Sequence, residues 1–262
     1  MKGAAHAVAP FAGKLEERKA NVLVYTHGNR DYRICRVRPV ANNLVEGVDA
    51  MLVKDAKALG NISSGNTKMP GTTFAIDAFA CKTGSKLAKI EGTPCRSCYA
   101  RKLQKLRPSV DAGWKANLDK FNRADPEQWA QAMAFQIIRY NRDGFHRWFD
   151  SGDLQSVDML DAIVNVARMT PNVRHWLPTQ ERDIVKTWRA QNGALPDNLI
   201  VRVSASKLDG ALPKGAEHGS QVFTKGNAPK GLECKARTRG NACGPCRACW
   251  DKSVAFISYP KH

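Results

Sequence analysis

The chain has 262 residues, 43% of them apolar, with 41 Lys and Arg against 24 Asp and Glu for a formal charge of +17. That length buries a real core without staples and suits one large domain or a domain with a small appendage. No stretch approaches the roughly 20 apolar residues of a membrane span, and MKGAAHAVAPFAGKLEERKA is charged and lacks a leader's apolar segment.

These features set the compartment and partner. A reducing, cytoplasmic location is expected, so the eight cysteines are read as ligands rather than disulfides. The positive excess favours a polyanion, and nucleic acid is the expected partner. No membrane role is expected.

In chain order, NVLVYT (21–26) and YRICRV (32–37) alternate as two strands of a hairpin turning through His27–Asp31. Cys35 within it reads as a small buried strand residue. VDAMLVKDAKALG reads as a short helix ending at Gly60, and ISSGNTKMPGTT as a polar loop without phosphate-loop spacing. TTFAIDAFAC reads as a strand delivering Cys81. Helices follow from Tyr99 to Leu106, from Val110 to Phe121, and from Pro126, with Trp129, Met133, Ile137 and Tyr140 on one stripe and Gly144 as the stop.

From there strand and helix alternate. FHRWFD (145–150), NVRHWLPT, NLIVRVSAS and SQVFT (220–224) read as strands; helices begin near Ser156 and run through ERDIVKTWRAQNG to Gly193. That alternation predicts an α/β fold, either a partial (β/α) barrel or an open parallel sheet, with a C-terminal cysteine-rich metal module. The expected organisation is 1–70, an ill-defined N-terminal part; 71–225, the α/β core; and 226–262, the cysteine module. His146 and His175, inside strands beside Trp148 and Trp176, read as core residues.

The cysteines carry the chemical signal. Cys234, Cys243, Cys246 and Cys249 follow C-x8-C-x2-C-x2-C, and Cys81, Cys95 and Cys98 follow C-x13-C-x2-C. Thiolates select zinc or iron–sulfur over hard metals, and the C-x2-C-x2-C step is the compact spacing of cubane iron–sulfur ligation. Structural zinc is the alternative at each group. Four thiolates close a site; three leave one metal position open.

Parallel strands present ligand sites beyond their carboxyl ends. The ends here are Asp150-Ser151-Gly152-Asp153, Pro178-Thr179-Gln180-Glu181 and Ser204-Ala205-Ser206. The two aspartates are candidate catalytic or ligand-binding acids, set against the bland role of capping the next helix, for which Ser156 competes. Arg101, Lys102, Lys105 and Arg107, directly after the first cysteine group, are the candidate phosphate contacts; Lys230, Lys235, Arg237 and Arg239 thread the second.

These motifs resemble a family. GNTKMPGTTFAI, then CRSCYARK, then RWFDSGDLQSVDMLDAIVNVARMTPNVRHWLPTQ are similar to the bacteriophage "gene product 88" family over roughly residues 65–206. The matching positions are Asn66, Lys68, Cys81, Cys95, Cys98, Ser151, Gly152, Asp153, Pro171, Val173 and Thr179, with Gln180 in place of the usual lysine. The order of parts also resembles the radical S-adenosylmethionine superfamily. That resemblance implies a [4Fe–4S] cluster on Cys81, Cys95 and Cys98, with Ser151, Gly152, Asp153, Gln180 and Ser204 contacting S-adenosylmethionine. It also implies an auxiliary cluster on Cys234, Cys243, Cys246 and Cys249. The cysteine spacing departs from the superfamily's C-x3-C-x2-C, and S-G-D stands for G-G-E.

The leading expectation is a phage-type iron–sulfur enzyme modifying nucleic acid or a nucleotide, with Asp150 and Asp153 as its catalytic acids. One rival is a transglycosylase-like base-exchange enzyme with structural zinc, suggested by FDSGD. The other is a basic nucleic-acid-binding protein with no enzymatic activity.

Overall fold

A computed structural model describes residues 51–261 except 66 with side chains, and the backbone of three strands before them. Those strands are β1 (Glu16–Arg18), β2 (Val22–His27) and β3 (Arg30–Ile34), paired antiparallel in the order β1-β2-β3. His27 opposes Arg30, so the predicted hairpin forms with a tight connection. Cys35 and Asn66 lie outside the described residues. The chain divides into compact units at Leu44/Val45, and the second unit runs to His262.

The second unit is built on a seven-stranded sheet. Its strands are β4 (Thr72–Thr73), β5 (Phe145–Arg147), β6 (Arg174–Thr179), β7 (Leu199–Ser204), β8 (Gly219–Phe223), β9 (Leu232–Glu233) and β10 (Phe256–Pro260). Their order is β4-β5-β6-β7-β8-β10-β9 and every pairing is parallel. The sheet is open, with β4 and β9 at its edges. The open-sheet expectation therefore holds over the barrel.

A parallel sheet needs cover on both faces. Its helices are α1 (Val53–Leu59), α2 (Lys82–Leu87), α3 (Tyr99–Leu106), α4 (Pro108–Arg123), α5 (Pro126–Tyr140), α6 (Val157–Met169) and α7 (Arg182–Asn192). Asp125 caps α5 by accepting from Glu127 N and Gln128 N at 3.0 Å, and Ser156 caps α6 by accepting from Met159 N at 3.1 Å. One sheet face buries Trp148, Leu177 and Val201 in a core with Trp129, Met133, Ile137, Leu160 and Ile163 from α5 and α6. Phe74 and Phe121 set their rings edge-on to Trp129 at 5.5 and 5.1 Å.

His146 and His175 are core residues, fully buried. Thr72 Oγ1 lies 2.8 Å from His146 Nδ1, and Thr170 Oγ1 lies 2.8 Å from His175 Nε2. Burial holds both rings neutral, and His175 is pushed down to about 3.

The other face is covered by the cysteine-rich crossover between β9 and β10. Period-two alternation puts Phe145, Arg147, Trp176 and Arg202 on it. Trp250 packs against Phe145 and Trp176 at 5.4 and 5.3 Å between centroids, and its indole donates to His146 O at 2.8 Å. The fully buried Arg202 donates to the carbonyls of Ala248, Cys249, Asp251 and Ala255 at 3.0–3.1 Å. Residues 226–262 thus contribute two strands and one covering layer to the sheet of the 71–225 core.

Two expected strands are shorter than the sequence suggests. TTFAIDAFAC pairs only at Thr72–Thr73 and then leaves the sheet through a 3-10 turn, Ala78–Ala80, capped by Asp77 accepting from Phe79 N at 2.9 Å. FHRWFD pairs only through Arg147, because Phe149 turns out of the strand with φ 52°. Gly71 has φ 78°, and a Cβ there would stand 1.7 Å from Phe145 O, so only glycine lets β4 approach β5.

Candidate functional site

The first cysteine group gathers at the carboxyl end of the sheet. Cys81 sits at the N-cap of α2, Cys95 in the 3-10 turn Pro94–Ser97, and Cys98 at the N-cap of α3. A Cβ on Gly84 would stand 3.7 Å from both Cys81 Sγ and Cys95 Sγ, which brackets how close these thiols lie. No disulfide joins the seven described cysteines.

The charges in this cluster act on one another. Burial pushes the Cys95 thiol up to about 11, with Cys98 and Asp153 adding to the rise and Arg101 opposing it. Cys81 is raised further, by burial first, then by Asp153, Cys98 and Cys95. Soft donors in mutual repulsion are the setting that a bound cation relieves, so the donor set fits a thiophilic metal or cluster. Among the described residues, no three Cys, His, Asp or Glu side chains are placed to hold a metal ion.

Asp153 is the hub of the strand ends. It is buried, and it accepts from Thr179 Oγ1 at 2.6 Å, Gln180 N at 2.8 Å and Leu154 N at 2.8 Å. Burial outweighs these bonds and pushes its carboxyl up to about 7. Gln180 reaches Ala205 O at 3.2 Å, and the Ser204 hydroxyl meets that of Ser220 at 3.2 Å, so the ends of β6 and β7 are laced to each other and to the start of β8. Ser151 donates to Ile76 O at 3.1 Å. Gly152 has φ 85° and a Cβ there would fall 2.2 Å from Ile76, so this glycine serves a close backbone approach.

Asp150 occupies a neighbouring position. Thr73 Oγ1 donates to its Oδ2 at 3.1 Å, while Oδ1 is buried without a hydrogen-bond partner. Burial raises its carboxyl although Arg147 opposes the rise. Tyr99, directly after Cys98, donates its hydroxyl to Asp150 O at 2.5 Å. Arg147 lies over the Trp176 ring at 4.7 Å, and its charge acts on Tyr99, Asp150, Tyr259 and Cys249.

The second group lies on the sheet's other face. Cys243 feels both Cys234 and Cys246, and Cys249 feels Cys234. Burial pushes the Cys249 thiol up to about 12, opposed by Tyr259, whose hydroxyl lies 3.3 Å from its sulfur. Cys234 N donates to Ser258 O at 2.8 Å and Cys243 N to Lys68 O at 2.7 Å, which ties the segment down at its start and its middle.

The basic candidates divide. Arg101, half-buried, sits 4.7 Å over the Phe79 ring and Lys105 5.7 Å, while Lys102, Lys105 and Arg107 are exposed. Two cavities, of about 230 and 410 Å³, open at the amino ends of the strands instead. Arg189, Glu217 and His218 line the first, Asn172, Arg174 and Trp250 the second, and Asp197 and Lys252 line both. Neither includes the cysteines, Asp150 or Asp153.

One site residue escaped the sequence reading of roles. Glu181 looks like a helix cap for α7, yet its carboxylate accepts from Thr83 N at 2.7 Å and Thr83 Oγ1 at 2.8 Å. Its position at a strand end was the available signal.

Fold and site together define an α/β unit on an open, seven-stranded parallel sheet with two cysteine groups, one at the strand ends and one across a face. The chain belongs to the phage gene product 88 family, whose model matches residues 50–252. No curated protein and no solved structure matches it. Among the described residues, no helix is long and apolar enough to cross a membrane.

Proposed function

We propose that the protein is an iron–sulfur enzyme of the radical S-adenosylmethionine type that modifies a nucleic acid or nucleotide. The observation carrying this reading is the gathering of Cys81, Cys95 and Cys98 beside Asp153 at the carboxyl ends of the sheet. A [4Fe–4S] cluster, if held by those thiols, would supply the electron for reductive cleavage of S-adenosylmethionine. Asp153 and Gln180 hold the loop that would face the cofactor, and Ser204 lies at the neighbouring strand end. Asp150, with its unpartnered Oδ1, is the acid available to a substrate. Cys234, Cys243, Cys246 and Cys249 would hold a second centre, iron–sulfur or zinc, that would fix the covering segment.

Anaerobic purification followed by iron, sulfide and zinc analysis tests the reading. Iron with matching acid-labile sulfide, lost from one site in Cys95→Ser, is expected, together with 5′-deoxyadenosine formation under reduction. Zinc alone overturns it. A base-exchange enzyme with structural zinc is the second reading, favoured by the buried, unsatisfied Asp150 Oδ1 at a strand end. Base exchange into an oligonucleotide by the zinc protein, lost in Asp150→Asn, would establish it.

A further inference from the structure

The segment from Lys82 to Arg107 holds Lys82, Lys86, Lys89, Arg96, Arg101, Lys102, Lys105 and Arg107 against the single acid Glu91. It thus supplies seven of the chain's seventeen net positive charges in a tenth of its length. The same stretch is unusually apolar at its surface. Of the eight exposed large hydrophobic residues among those described, five lie between 79 and 106: Phe79, Ile90, Tyr99, Leu103 and Leu106.

Three of the five form a stripe. Tyr99, Leu103 and Leu106 stand at i, i+4 and i+7 along α3, so they share one face of that helix, and they are 55%, 38% and 76% exposed. The Tyr99 hydroxyl is tied to Asp150 O, which fixes the ring while leaving it open to solvent. The stripe starts at the residue after Cys98, so it leads away from the thiol group.

We propose that this surface binds a single-stranded nucleic acid, with phosphates on the cations and unpaired base faces on Tyr99, Leu103 and Leu106. The proposal rests on the functional reading above only in taking the polyanion to be nucleic acid. Charge alone would serve a duplex equally well, since phosphate contacts are blind to strandedness. The apolar stripe is what discriminates. A duplex hides its base faces, whereas a single strand offers them to a fixed aromatic ring and to aliphatic side chains. An enzyme acting on a base also needs that base out of its stack, and an unpaired strand meets this need at least cost. The eight-residue α3 carries three apolar positions amid cations, a narrow face for insertion into a lipid surface.

The test is fluorescence anisotropy of the full-length protein with a labelled mixed-sequence oligonucleotide, single-stranded or annealed. Anionic vesicles of phosphatidylglycerol and phosphatidylcholine form a competing arm. Single strands should bind at least tenfold more tightly than the duplex. Tyr99→Ala and Leu106→Ala should each weaken that binding by about tenfold without changing its salt dependence, while Tyr99→Phe keeps it. Lys102→Ala should lower the salt slope by about one for both strand forms. Leu106, the most exposed of the three, keeps the test decisive if the Tyr99 variant unfolds. Equal or better duplex binding, unchanged affinity in Leu106→Ala, or tighter binding to vesicles would overturn the proposal. Metal analysis of the same preparation separates the two readings. Single-strand preference without iron sinks only the iron–sulfur assignment, and iron without that preference sinks only this one.

Discussion

Glu181, the residue after β6 and its turn, caps α2 rather than its own helix, taking both the backbone N–H and the hydroxyl of Thr83. Thr83 lies two residues beyond Cys81, so a strand end nearly a hundred residues away sets where the first thiol stands. Glu181→Gln should cost about 1–2 kcal/mol of stability. It should also raise hydrogen exchange at residues 82–88 and lower metal content at the first cysteine group. Unchanged exchange there would separate Cys81 placement from this contact.

Arg202 holds the covering segment through four backbone carbonyls. Arg202→Met keeps the bulk and strands those acceptors, at a cost of about 3 kcal/mol. Exchange should rise across residues 246–256, and Cys249, half-buried beside Trp250, should react faster with thiol reagents. Wild-type reactivity at Cys249 would show that strand pairing of β10 alone secures the layer.

Acid behaviour should expose two opposed buried groups. His175 titrates at about 3 when folded and near 6.5 when unfolded, so the stability it contributes is present above pH 6.5 and falls away as pH drops. Asp153 titrates at about 7 when folded against 3.8 when unfolded, so its contribution is full below about pH 4 and is lost as pH rises through 7. Asp153→Asn removes the second trend alone. Between pH 4.5 and 6.5 its stability should climb with pH more steeply than the parent's, by about 1.4 kcal/mol per pH unit. Denaturant melts at three pH values measure this; parallel curves would mean an ionised Asp153 throughout.

Gly152→Ala should destabilise strongly, because φ 85° and the 2.2 Å approach of Ile76 act together. A loss of roughly 2–4 kcal/mol is expected from strain and overpacking. Gly92→Ala shares the positive φ of 71° and meets nothing within 4 Å, so it isolates the backbone term. Equal losses in the two variants would remove the close approach to Ile76 as the reason for glycine at 152.

Regular periodicity made the centre of the fold legible. Ser156, Pro126 and Gly193 marked helix boundaries within a residue or two, and β6 and β7 matched their apolar runs. FAIDAFA misled because it is buried like a strand yet leaves the regular ladder after Thr73: Phe74 and Ile76 still bond the backbone of residues 147–151, while the Asn117 and Gln104 side chains take Ala75 O and Ala78 N. FISYP was overlooked because five residues beside a dense cysteine pattern carry little periodic signal. Its role as an interior strand depends on β8 and β9, which lie far from it in sequence. The cysteine positions were plain from spacing, but spacing could not reveal that one group covers a sheet face. Asp153 drew notice as an acid, while its three hydrogen bonds required the tertiary structure.

The position of β10 between β8 and β9 gives the protein a built-in order of assembly. β9 has no partner until the crossover has passed over the sheet and returned along β8. During that interval Trp176 lies uncovered and the sheet ends in an open edge. Closing the crossover is a long-range step, slow by its topology. Whatever speeds or delays that closure sets the lifetime of the form most prone to stick to its neighbours.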